Sequence, residues 1–332
     1  GVAAALASLF AHAAPAREAR EAALSLVSAA KGGPREAQYA ALASVATLAQ
    51  RRPAMFRGQM KRFLIRSVDP AFIRALKLDI LTHLANANNI GQLLVELEAY
   101  CRDPDREFVT AVVRALGVIA DRIPDVAAQC TGALVRLCVH SPDAVAAEAA
   151  LVARALVARD SAARAGDAER LLRAFPHVRS AGARAVILWM GGEFCDLGEG
   201  VALAAREMLR VGARSYAAAA PPEAAEVKVA ILGLAAKLAL RQKSAGVNEG
   251  RDIVPKLLEY VLNLARWDMD VDVRDKARLL RGVLVDGKLD GLAVGAKADG
   301  AAALDPAENT PAAEALLPVS YTHLTLPTIL LV

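Results

Sequence analysis

Apolar residues return every three or four positions along most of this chain, and the clearest run lies at 67–100. Ile73, Leu76, Ile80 and Leu84 share one face of a helix that the pattern starts at Asp69-Pro70. There an aspartate can cap free backbone amides, and proline loses no donor at the first helical position. Residues 86–89, Asn-Ala-Asn-Asn, break the run with turn-prone side chains. Ile90, Leu93, Leu94, Leu97, Tyr100 and Cys101 then restore it on a second helix. Neither helix can hide its apolar stripe alone, so each needs a partner, and the pair needs further pairs.

The same arrangement returns at Asp103-Pro104 and Ser141-Pro142, where a capping residue again precedes proline at a predicted helix start. Thirty-four residues separate Pro70 from Pro104, and 38 separate Pro104 from Pro142. Two helices per unit at that spacing predict an all-α fold, an α-solenoid of HEAT or armadillo type. Helices are predicted over 2–12, 16–30 and 36–50, with a turn at 31–34 and a restart at Pro53 toward Phe63 and Ile65. Further helices are predicted over 106–122, 124–140, 143–159, 166–175, 182–195, 201–211, 223–241, 253–267 and 271–285. Residues 217–222 read as a loop with a double proline, and 242–249 as a polar connector. About seven helix pairs forming a right-handed curved array are expected.

Composition changes after residue 285. We read 1–285 as a helical-repeat trunk that is incomplete at its N-terminus, and 286–318 as a flexible Gly/Ala-rich linker. Residues 319–332, rich in Thr and β-branched side chains, read as a non-native tail. Aromatics make up only 4% of the chain while hydrophobic residues reach 55% through alanine, which suits close helix stacking and argues against a sheet protein. Charges interrupt every long apolar stretch, so no spanning helix is expected. The net charge of +4 is too mild to call for nucleic acid. Cys101, Cys130, Cys138 and Cys195 fall on apolar faces and read as reduced, buried thiols, consistent with the cytosol.

Several ordered stretches resemble one family. Residues 77–86, Lys-Leu-Asp-Ile-Leu-Thr-His-Leu-Ala-Asn, followed by Asn89-Ile90 and by 94–100, Leu-Val-Glu-Leu-Glu-Ala-Tyr, are similar to the trunk of the beta-adaptins. These are large subunits of heterotetrameric vesicle-coat adaptors. Phe108-Val109 through 114–117, the Trp-Met-Gly-Gly-Glu segment at 189–193, and Asp272-Val-Arg-Asp-Lys276 follow in the family's order. The resemblance covers roughly 35–285. Within the family, the segments at 63–70 and 260–264 look most like the beta subunit of adaptor complex 3.

That resemblance implies a scaffold whose partners are a second large, a medium and a small adaptor chain. It implies cargo sorting from Golgi or endosomes toward the lysosome or vacuole, by a cytoplasmic protein peripheral on Golgi and endosomal membranes and coated vesicles. Another coat or adaptor large subunit, or a general HEAT scaffold for a phosphatase or transport receptor, remains the alternative.

No catalytic constellation emerges, and no enzyme activity, cofactor, metal or small-molecule substrate is expected. A phosphate loop and a dinucleotide fingerprint are both missing from the sequence. Gly191-Gly192, inside a predicted helix, reads as a close helix approach or a kink. Cys130 and Cys138 lie two helical turns apart without a Cys-x-x-Cys, which favours core thiols over zinc ligands. His83 and His177 lack an accompanying nucleophile motif. Asp272 and Lys276 are spaced for a helix-start pair, and a partner contact through Arg274 ranks second to that reading. Trp189 reads as core.

The densest basic region runs through Arg51, Arg52, Arg57, Lys61, Arg62, Arg66, Arg74 and Lys77. Arg57, Lys61, Arg62 and Arg66 are its candidate contacts for anionic lipid headgroups or an acidic partner. Because Phe56, Phe63 and Ile65 alternate with the charges, a solvated solenoid face is the plainer reading.

Overall fold

A computed structural model describes residue 5 and residues 16–30, 34–217, 222–244 and 253–284. Nearly all of the expected helix at 2–12, most of the turn at 31–34, most of the 217–222 loop, most of the 242–249 connector, the linker at 286–318 and the tail at 319–332 lie outside the described residues. The chain divides into two compact units, Gly1–Leu156 and Val157–Val332. Among the described residues there is no β-strand.

In the first unit the helices are α1 (Ala16–Ala29), α2 (Arg35–Arg51), α3 (Ala71–Leu84), α4 (Ile90–Tyr100), α5 (Arg106–Arg122), α6 (Pro124–His140) and α7 (Asp143–Arg159), the last running past the unit's end. Consecutive helices pack as pairs, α2 on α3 and α5 on α6. Helices two apart also pack, α3 on α5 and α4 on α6. Two layers result, the arrangement expected when each helix pair buries its stripe against the next pair. Ile73, Ile80 and Leu84 of α3 are fully buried, as are Val112, Leu116 and Ile119 of α5. The periodicity therefore placed Ile73, Ile80 and Leu84 in the core, while Leu76, expected on the same face, is only half-buried and Leu78 and Leu81 are buried beside them. Gly117 lets α7 approach α5, since a Cβ there would meet Val152 Cγ1 at 2.5 Å.

Two local expectations need correction. Proline does not occupy the first helical turn of α3. Pro70 is the cap residue itself, in extended backbone with no side-chain cap. The Asp69 carboxylate is engaged elsewhere, accepting from the Arg66 amide at 2.9 Å and from Lys77 Nζ at 2.5 Å. Before α5 the cap is Asp105, whose Oδ1 accepts from the amides of Glu107 and Phe108, while Asp103 holds the Asp105 amide. The restart at Pro53 is not an α-helix either. It forms two 3₁₀ turns, Pro53–Met55 and Arg57–Phe63. Met60 and Phe63, three residues apart, are buried together, which is the period of a 3₁₀ helix.

In the second unit α8 (Ala165–Ala174), α9 (Ala181–Glu193), α10 (Glu199–Ala217), α11 (Ala225–Ser244), α12 (Ile253–Ala265) and α13 (Val271–Leu284) follow, with 3₁₀ turns at Phe175–His177 and Cys195–Leu197. Helices α9, α11 and α13 form one layer, and α8, α10 and α12 the other. Helix α11 is the centre. It packs on α9, α10, α12 and α13, and residues 229–240 are all buried. A helix apolar on nearly every face belongs inside, and the one charge in this buried run, Lys237, is paired with Glu193. Its neighbours approach closely: a Cβ on Gly191 would lie 2.2 Å from Met208 Cε, and one on Gly192 would lie 2.9 Å from Lys237 Cδ. The paired glycines thus serve packing, as expected.

Candidate functional site

A basic residue at the fourth position of one helix reaches the acidic residue just before the helix two further on, three times over. Arg74 of α3 holds both carboxylate oxygens of Asp103, ahead of α5, at 3.2 Å. Arg184 of α9 holds Glu223, ahead of α11, through Nε at 3.0 Å and a terminal nitrogen at 3.2 Å. Lys228 of α11 holds Asp268, ahead of α13, at 2.8 Å. Each cation thus links a repeat to its successor within its own unit. Val109 occupies the fourth position of α5, so the series skips that step. Arg274, fourth in α13, donates to the carbonyls of Asp268 and Met269. That engagement makes it a loop brace.

These pairs are partly sheltered. The Arg184 guanidinium lies 4.4 Å from the Phe175 ring centroid and also donates to the Val178 carbonyl. Burial alone would raise the Asp268 carboxyl pKa. Hydrogen bonds from Lys228, the Asp270 amide and Tyr216 outweigh burial and hold it below the usual carboxylate value. Burial, followed by the hydrogen bond to Asp268, raises the Tyr216 phenol. Arg122 closes a different joint. It donates to the carbonyls of Thr82 and Ala85, capping the end of α3, and burial lowers its pKa.

The basic region read from sequence therefore splits. Arg74 and Lys77 are consumed by Asp103 and Asp69. Arg57, Lys61 and Arg62 stand exposed on the 3₁₀ turn, and Arg66 stands exposed in the coil after it. None of these four has a carboxylate partner among the described residues. Arg66 also lines a recess of about 340 Å³ together with Ser67, Tyr100 and Arg102. The Tyr100 hydroxyl fixes that wall by accepting from the Ile65 amide at 2.9 Å.

A larger recess of about 1000 Å³ shares Arg102, Asp103 and Pro104 with the first. It adds Arg106, Val109, Leu137 and Val145. Sequence reasoning missed Arg102 and Arg106. Both are exposed and without an acidic partner among the described residues, and both flank the Asp103-Pro104 start that it did single out.

The four cysteines are buried. Burial and then Glu98 push the Cys101 thiol up to about 11, and burial pushes Cys138 up to about 12. Cys195 is raised by burial although Arg241 lies beside it. Trp189 is half-buried, edge-on to Phe194 at 6.1 Å and under Lys237 Nζ at 5.4 Å. His83 sits 3.3 Å from Asp79, one helical turn away. No helix among the described residues is long and apolar enough to cross a membrane.

Comparison with known proteins agrees with this architecture. Residues 2–288 match the family model of the adaptin N-terminal region. The mouse AP-3 complex subunit beta-2 is 36% identical over 287 residues, covering 86% of this chain and 25% of that protein. The human AP-3 complex subunit beta-1 is 34% identical over 281 residues, covering 85% of this chain and 24% of that protein. The AP-3 beta subunit of Dictyostelium discoideum is 29% identical over 325 residues, covering 83% and 29%. The chain thus spans about a quarter of the length of these relatives. In fold it is similar to a chain in a homology model of the full-length AP-3 complex in an intermediate open conformation, with TM-score 0.57 and 20% identity over 80% of this chain and 45% of that one. The match across nearly all of its helical repeats shows that this chain belongs to the adaptin family.

Proposed function

We propose that the chain is part of the trunk of a large beta subunit in a heterotetrameric vesicle-coat adaptor of the AP-3 kind. Its role is binding. The stacked helix pairs hold a second large, a medium and a small chain, and the assembled complex sorts membrane cargo between Golgi or endosomes and the lysosome or vacuole. The protein works in the cytoplasm as a peripheral component of coated membranes. The observation that carries this reading is the extent of the similarity to AP-3 beta subunits, which runs through the repeats of both units.

The repeat-to-repeat ion pairs support a scaffold role, because they fix the register between neighbouring helix pairs and so present a stable docking face. Affinity capture of the tagged chain from its own cells, read by mass spectrometry, tests the proposal. Medium, small and second large adaptor chains at comparable abundance are the expected result. Recovery of a phosphatase catalytic chain or a Ran-type GTPase in their place would replace the proposal with a general HEAT scaffold.

A further inference from the structure

The two recesses of the first unit meet at residues 102–104 and together form a trough from Ile65 past Pro104 to Val145. Its floor is apolar, with Val109, Leu137 and Val145 lining the larger recess and Tyr100 and Phe108 the smaller. The Cys101 thiol also lines it and, with its pKa near 11, adds no charge at neutral pH. The rim carries a surplus of cations. Its acids Glu98 and Asp103 are spent on Arg136 and Arg74, and Asp143 is the third carboxylate of the lining. Arg66, Arg102 and Arg106 have no carboxylate partner among the described residues.

We infer that this trough binds an extended acidic peptide in which carboxylates alternate with apolar side chains. An extended strand sends alternate side chains to opposite sides, so apolar residues face the floor while carboxylates meet arginines at the rim. Arginine suits this task because its planar fork matches a carboxylate in two hydrogen bonds. A bilayer would meet the exposed cations Arg57, Lys61 and Arg62 but would leave the floor unfilled. Because Arg66, Arg102 and Arg106 line the same recesses as those apolar side chains, the pairing of charge with an apolar floor favours a peptide. The inference does not depend on the coat role, since it rests on the first unit's own side chains.

The test uses the full chain and fluorescence anisotropy of a labelled peptide of alternating Glu and Leu. A matched Gln–Leu peptide and phosphatidylcholine vesicles with and without phosphatidylserine serve as comparisons. The expected result is binding of the Glu–Leu peptide that weakens as salt rises. Joint Arg102→Glu and Arg106→Glu substitution is expected to weaken it about tenfold or more through like-charge opposition. Lys256→Glu, an exposed change in the second unit, is expected to leave binding unchanged. If the charge reversals lower helix content by circular dichroism, Arg102→Gln with Arg106→Gln keeps the shape and gives a loss in the same direction. Equal binding of the Gln–Leu peptide, or no change in these variants, would overturn the inference. So would binding of the anionic vesicles without binding of the peptide, which would assign the cations to a lipid surface.

Discussion

Replacing Glu223 with glutamine tests how much one step of the repeat ladder contributes. Glutamine keeps the side chain's size and one acceptor but leaves the Arg184 guanidinium facing a neutral group. The two side chains are 11% and 13% exposed, so the pair is neither fully dry nor freely solvated. Removing one partner of a buried pair costs ~3–5 kcal/mol, while an exposed pair is worth ~0–1 kcal/mol. The Phe175 ring and the Val178 carbonyl still hold Arg184 in place. A loss of about 2 kcal/mol is the reasoned middle of those limits.

Urea unfolding followed by tryptophan fluorescence reads this directly, because Trp189 and Trp267 both lie in the second unit. With a slope of about 2 kcal/mol per molar urea, the midpoint is expected to fall by about 1 M. Arg184→Met is expected to cost a similar amount. The double variant is expected to cost less than the two together by about 1–2 kcal/mol, since neither charge is then stranded. A shift within about 0.5 kcal/mol for Glu223→Gln, or strict additivity of the two changes, would refute a structural role for the ladder.

Other expectations follow from the same packing. Gly117→Ala gains up to ~1 kcal/mol of helix propensity but drives a methyl into the stiff Val152 side chain, an overpacking cost of ~1–3 kcal/mol, so a net loss is expected. Thermal melting by circular dichroism measures it, and adding Val152→Ala should recover part of the loss. The four buried thiols should resist iodoacetamide at pH 8 in the folded chain and react fully in urea, as counted by intact-mass spectrometry; rapid native labelling of Cys138, whose pKa is pushed up to about 12, would contradict its burial. The Asp268 carboxyl has a folded pKa below its unfolded value, so its contribution is present above about pH 4 and lost as pH falls through the folded value. Urea midpoints across that acid range should fall less steeply for Asp268→Asn than for the parent chain.

Much of the fold could be read from spacing because helix faces are local. Ile73, Ile80 and Leu84 needed only their three- and four-residue steps to be placed in the core. Helix α11 was harder. A helix over 223–241 was legible, but the burial of all of residues 229–240 depends on helices that the chain supplies before and after it. The 3₁₀ turn at Arg57–Phe63 was misread because Phe56, Phe63 and Ile65 suit either kind of helix over so short a run.

The ladder was invisible for a different reason. Arg74 and Asp103 are 29 residues apart, and Lys228 and Asp268 are 40 apart. Only the register of stacked helices brings them together. Once Asp69 and Asp103 were matched to Lys77 and Arg74, the surplus at Arg57, Lys61, Arg62 and Arg66 stood out. Arg102 and Arg106 could have been found by the same subtraction, since they flank a proline start that periodicity had already marked.

Whether the helix pairs assemble with other coat chains is tested most directly by reconstitution. The chain would be co-expressed with the second large, medium and small subunits of an AP-3 adaptor and resolved by size-exclusion chromatography with light scattering. The expected result is a single species containing all four chains in equal proportion. Elution of the folded chain by itself, with the other three assembling without it, would contradict the scaffold role.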